Sequence, residues 1–188
     1  MKRTIILILV LTMVISTSVF ATDSNKKMFV ELQGNSMFPS DGNFKTIYGS
    51  SALYIRGKAG YKFIKDFYLF FGCGLLHKTG KTPLLKAEAT SDQKICIFGA
   101  GYEGTVSGKL GYRLEAGGSN FSYKEEALDK SVSSSKLGIM LNGSIVYDFN
   151  STIFTALSLG YFGASDTINN VDIKLGGLNI AFGFGIRI

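Results

Sequence analysis

The last fourteen residues, Leu175 to Ile188, read L-G-G-L-N-I-A-F-G-F-G-I-R-I. Alternate positions fall into two unlike sets. Leu178, Ile180, Phe182, Phe184, Ile186 and Ile188 are large and apolar, whereas Gly177, Asn179, Ala181, Gly183, Gly185 and Arg187 are small or polar. A pleated strand turns successive side chains to opposite faces, and a helix, with its longer period, would mix the two sets. The stretch is therefore a strand with one face made for an apolar medium. It also ends the sequence, so no further module is expected after Ile188.

The other end of the sequence is of a different kind. Lys2 and Arg3 precede an apolar run from Ile5 to Ile15, and Val19 and Ala21 provide small residues at the −3 and −1 positions of a cleavage site. That pattern predicts a signal peptide over residues 1–21, too short in its apolar core to span a bilayer, and a mature domain over residues 22–188. No cysteine stands at the cleavage point to carry a lipid. The formal charge of +6 falls to +4 once Lys2 and Arg3 leave. The remaining basic residues are scattered, which argues against a nucleic-acid partner.

Beyond Ala21 no apolar run is long enough for a transmembrane helix. Alternating segments are nevertheless frequent, glycine is abundant and proline scarce. Eight strands are predicted, near 26–34, 50–63, 67–77, 94–103, 109–118, 136–148, 152–163 and 174–188. In the second, Leu53, Ile55, Ala59, Tyr61 and Phe63 oppose Arg56, Lys58 and Lys62; in the fifth, Leu110, Tyr112, Leu114 and Ala116 oppose Lys109, Arg113 and Glu115. The third is apolar on both faces, so its facing stays open. Connections alternate in length. Ile64-Lys65-Asp66, Gly104–Gly108 and Asn150-Ser151 are short turns, while 35–49, 78–93, 119–135 and 164–173 are expected as long polar loops.

Ala181, Gly183, Ile186 and Ile188 resemble the C-terminal signature of bacterial outer-membrane β-barrels, with Ile188 where that family usually has Phe. The strand count and the alternation of short turns with long loops are similar to the small eight-stranded barrels of the OmpA, OmpX and opacity type. The resemblance implies an all-β fold: a single eight-stranded antiparallel up-and-down transmembrane β-barrel in the bacterial outer membrane. It further implies periplasmic termini, insertion by the outer-membrane assembly machinery, and contact with the lipid bilayer and lipopolysaccharide as a monomer.

Two features separate this reading from a soluble lipocalin-like barrel around an apolar ligand, which would reverse the faces. Tyr61, Phe63, Phe67, Tyr68, Tyr102, Tyr147, Phe149 and Phe154 crowd the short-turn ends, as an interfacial girdle requires. The presumed inner faces also carry opposite charges. Glu31, Glu103, Glu115 and Asp148 are set against Arg56, Lys58, Arg113 and Arg187, and a narrow lumen would force them to pair. A barrel of eight strands fills with side chains rather than enclosing a wide pore. The expected function is therefore non-enzymatic: envelope structure, or surface interaction and adhesion through four extracellular loops.

Few residues suggest chemistry. His77 is the only histidine. It stands at the loop end of a strand, where a lipid A-modifying or proteolytic site would need it beside Ser91 or Glu88; that enzyme is the alternative reading. A single histidine makes a histidine-rich metal site unfavourable, and neither a metal nor a cofactor is expected. Gly80-Lys81-Thr82 lacks the earlier glycine of a phosphate-binding loop. Cys73 and Cys96 fall on neighbouring strands in an oxidising compartment, so one disulfide or two free thiols are open according to register. Lys78, Lys81, Lys86 and Lys94 would meet lipopolysaccharide phosphates by charge complementarity.

Overall fold

The structure, a computed structural model, describes residues 26–128, 130–168 and 171–188. The signal peptide expected over residues 1–21 lies outside them. Eight strands follow in order: β1 (Met28–Pro39), β2 (Ala52–Ile64), β3 (Phe67–Lys81), β4 (Glu88–Ser107), β5 (Leu110–Ala127), β6 (Lys130–Asp148), β7 (Ile153–Ile168) and β8 (Val171–Arg187). One short helix, α1 (Gly42–Tyr48), joins β1 to β2. Each strand pairs antiparallel with the next. β8 returns to pair with β1 from Phe29↔Arg187 to Pro39↔Gly177, closing the ring. Closure satisfies every strand edge, which is what allows a sheet to stand in lipid.

The faces are those of a membrane barrel. Charged and polar side chains point inward, while Leu53 and Leu75 on the outer wall remain 75% and 73% exposed, amid Ile55, Leu137, Ile139 and Phe182. An apolar belt of that extent has no place in water, and the soluble barrel is ruled out by its facing. β3 is now assigned: Phe67, Leu69, Phe71 and Leu75 look outward, and Tyr68, Phe70 and Leu76 look in. Two residues of the expected girdle are corrected. Tyr68 and Phe154 are fully buried in the lumen, because each occupies the inward phase of its strand, one residue from the outward positions Phe67 and Ile153.

The loops are also corrected. β5 and β6 stay paired through Ala127↔Lys130, and β7 and β8 through Ile168↔Val171. Most of the polar stretches 119–135 and 164–173 is thus strand. Above the apolar belt both faces are polar, so the alternation that marks a strand in sequence disappears while the backbone ladder continues. At the opposite end the turn expected at Gly104–Gly108 narrows to Gly108-Lys109, where Gly108 takes φ +49°. Asn150 holds another turn, its Oδ1 accepting from the amides of Thr152 and Ile153, each at 2.8 Å.

Candidate functional site

The lumen changes character along its length. Reading upward from the short-turn end, β1 contributes Phe29, Glu31, Gln33, Asn35 and Met37; β5 contributes Arg113, Glu115, Ser119, Phe121 and Tyr123. The lower half is charged and the upper half apolar, with Leu76, Ile95, Ile97, Phe121, Met140, Phe162 and Leu175 in a contiguous core.

The charges form one connected chain. Asp148 pairs with Arg187, whose Nη2 lies 3.3 Å from Glu103. Glu103 also accepts from Lys62 at 2.7 Å and from Arg113 Nε at 2.5 Å. Arg113 Nη1 reaches Glu31 at 3.1 Å, and Lys58 bridges Glu31 at 3.4 Å and Glu115 at 2.9 Å. From Glu115 the chain goes on through neutral groups. Tyr68 and Asn142 both donate to it at 2.8 Å, and Asn142 leads to Ser144 and Ser158 on the far wall. Glu31, Glu103, Glu115 and Asp148 thus meet four cations, Lys58, Lys62, Arg113 and Arg187.

Arg56 takes a different place from the other arginines. It makes no ion pair among the described residues. Its Nε donates to Gln33 at 2.8 Å, Gln33 donates to Glu31 at 2.7 Å, and its guanidinium lies 5.0 Å from the centre of the Phe162 ring. Arg113 is held between two aromatic faces, Phe29 at 4.3 Å and Phe154 at 4.4 Å. Such stacking supports a desolvated cation where hydrogen-bond partners run short. Lys62 and Gln33 are the connecting residues absent from the set of charges expected to pair. Lys62 carried the right signal, the inward phase of β2; neutral Gln33 carried none.

The space for this chain comes from glycine. A Cβ on Gly183 would stand 2.1 Å from Glu31 Oε1, and one on Gly101 would stand 2.3 Å from the Tyr68 ring. Gly183 of the C-terminal signature therefore faces the lumen beside Ala181, while Ile186 and Ile188 follow on the outward phase.

At the upper end α1 covers the mouth. Asp41 caps it, accepting from Phe44 N through Oδ1, and ties it to β8 by accepting from Lys174 N through Oδ2, both at 2.9 Å. Phe44 and Tyr48 bury themselves against Ala89 at the top of β4. Tyr48 donates to the Thr90 carbonyl at 3.2 Å, and burial, then the nearby Glu125 carboxylate, push its hydroxyl up to about 12.

His77 stands on the outer wall. Its Nδ1 lies 2.6 Å from Asp92 Oδ1, and both side chains are exposed. Ser91 points the opposite way, buried, toward Glu125. Glu88 lies at the exposed rim opposite Lys81. Neither residue expected beside His77 is its partner. His77, Asp92, Leu75 and Lys94 line an open groove of about 950 Å³. Cys73 and Cys96 are direct cross-strand partners on the outward phase of β3 and β4 and are joined as a disulfide. No cluster of three or more metal-ligating side chains occurs among the described residues.

This fold, a closed antiparallel ring of eight strands with an apolar exterior, is that of the small transmembrane β-barrels of outer membranes. Among solved structures it is similar to the outer-membrane protein OprG from Pseudomonas aeruginosa, with TM-score 0.68 and 13% identity over 86% of this chain and 96% of that one. It is similar also to Neisserial surface protein A, with TM-score 0.61 and 13% identity over 86% and 97%. A third is the attachment invasion locus protein Ail of Yersinia pestis in complex with the heparin analogue sucrose octasulfate, with TM-score 0.57 and 13% identity over 87% and 100%. No protein-family model matches the sequence, and neither does any curated protein.

Proposed function

We propose that the chain is a non-enzymatic outer-membrane β-barrel whose lumen is closed by its own side chains, serving envelope structure or surface interaction. The observation that carries this reading is the unbroken chain of contacts from Asp148 to Ser158, crossing the lumen through Arg187, Glu103, Arg113, Glu31, Lys58 and Glu115. Paired buried ions are costly to separate, so such a chain acts as a plug. Polar ends suit the orientation proposed here. The start of β1 and the end of β8 meet at the short-turn end, where Met28 and Ile188 exchange backbone hydrogen bonds of 3.0 and 2.8 Å; in this reading that end faces the periplasm. Insertion would use the assembly machinery through the strand that carries Ala181, Gly183, Ile186 and Ile188, after removal of residues 1–21. The opposite end would meet lipopolysaccharide, with Lys94 beside its cross-strand partner Leu75 on the outer wall. The barrel acts as a monomer. Planar-bilayer recording tests the plug: the purified protein is expected to be silent, and a steady, large conductance would overturn the reading.

One observation favours a second reading, an enzyme acting on lipid at the outer wall: Asp92 orients His77 as an acidic partner orients a catalytic imidazole. It ranks second because no hydroxyl hydrogen-bonds to His77 among the described residues. Release of fatty acid from lipid A by the wild type, and its loss in His77→Ala, would promote it.

A further inference from the structure

Beneath α1 lies a cavity of about 140 Å³, separate from the charge chain. Its apolar wall is formed by Phe44 and Ile47 of the helix and by Leu175 of β8. Its polar lining comprises Asp41, Asn43, Tyr48, Gln93, Glu125 and Lys174. The Tyr48 hydroxyl donates to Thr90, Lys174 is exposed and gives its backbone amide to Asp41, and the buried side-chain atom left free is an acceptor. Gln93 is 5% exposed, and its Oε1 has no hydrogen-bond partner. The Nε2 of the same amide donates to Ser91 Oγ at 3.2 Å, and Ser91 donates on to Glu125 Oε1 at 3.4 Å, so the orientation of the amide is fixed with its oxygen free. Glu125, also on the cavity wall, has no cationic partner among the described residues. Asp41 adds a second carboxylate whose oxygens are already taken by the amides of Phe44 and Lys174. Burial, and then Asp41, push the Glu125 carboxyl up.

We infer that this cavity binds a small primary ammonium ion carrying a short apolar body. Two carboxylates and a free amide oxygen would repel an anion, and too few ligands are present for a metal. An ammonium offers three N–H donors and no acceptor, matching Glu125 and Gln93 Oε1. An apolar cavity of ~150 Å³ takes benzene, so a body of about four to six carbons fits the space available here. The site depends on the seating of α1 and not on the plug, so either proposal can fail without the other.

The test uses the full barrel refolded in detergent, with n-butylammonium as probe and butyrate and n-butanol as controls, read by calorimetry and by backbone amide shifts. Saturable binding of butylammonium is expected, with shifts at Phe44, Ile47 and Gln93. Butyrate should not bind, and butanol should bind roughly tenfold more weakly or worse, as a charge-assisted hydrogen bond implies. Glu125→Gln and Gln93→Leu should each weaken butylammonium by a similar factor, with heat-modifiable gel migration confirming that the variants fold. Absence of saturable binding to the wild type, which would leave the cavity to water, overturns the inference. So does equal binding of butyrate, or unchanged affinity in a folded Glu125→Gln barrel.

Discussion

Arg113 is fully buried, touches two carboxylates and two aromatic rings, and leaves its Nη2 without a hydrogen-bond partner. Removing its charge would leave Glu31 and Glu103 under-compensated in a low-dielectric lumen, a change that costs about 3–5 kcal/mol where one partner of a buried pair is lost. Arg113→Met should therefore lower the temperature at which the folded, fast-migrating gel band is lost, whereas Lys86→Met, at an exposed position beyond β3, should leave it unchanged. Glu31, Lys58 and Arg113 were conspicuous in the sequence because a charge on the inward phase of a membrane strand seeks an opposite charge, although Arg56, equally conspicuous, makes no ion pair among the described residues. The neutral members were not. Gln33 and Asn142 connect the chain only through their amide groups, and nothing in a polar uncharged side chain says which neighbour it will reach. The aromatic sandwich was missed for a related reason: Phe154 looks like a girdle residue until its phase is known.

Strand length was legible only where lipid imposes alternation. The eight strands and three short turns follow from the sequence, but the polar upper parts of β5, β6 and β7 continue without apolar alternation, held by the backbone ladder and by polar side chains that link the strands. Asp166 lies on β7 above the apolar belt; burial raises its carboxyl, but hydrogen bonds from Lys136, Ser134 and Tyr123 prevail and hold it near 2. A carboxyl lowered on folding contributes stability above its ordinary range, and this is lost as pH falls through the folded value. Amide exchange in the upper β5–β7 segment should thus stay slow at pH 5 and rise between about pH 4 and 2, with Asp166→Asn already fast at pH 5. Register was the other quantity hidden from sequence, and it decides the cysteines. With Cys73 opposite Cys96, the bridge closes a loop of some twenty residues, for which chain entropy gives about 3 kcal/mol. A Cys73→Ser/Cys96→Ser double variant should still form a barrel, yet unfold at lower urea. Unchanged unfolding would mean that the strand pairing is held by the ladder alone.

On the scale of the whole barrel, two devices would close the lumen in the reading proposed above. α1 lies across the mouth, tied to β8 through Asp41, and the charged chain fills the lower half between Phe29 and Ser158. They differ in what holds them. The helix is a single short element with a side-chain cap at Asp41, a backbone cap at Gly49 and a small apolar contact, so local opening requires the loss of few interactions. The charged chain is cross-linked from β1, β2, β4, β5, β6 and β8, and moving any of β1, β2, β4, β5 or β8 breaks at least two ion pairs. Replacing residues 42–48 by a flexible Gly-Ser segment should therefore leave the barrel folded and electrically silent. The same replacement combined with Glu31→Ala, Arg113→Ala and Glu115→Ala removes charge of both signs and opens space beside Gly183, and it should produce small, irregular conductance steps. If the helix replacement alone conducts, α1 is the seal and the charged chain serves stability only. Silence of the combined variant, once its folding is confirmed by gel migration, would place the block in the apolar core around Phe121 and Phe162.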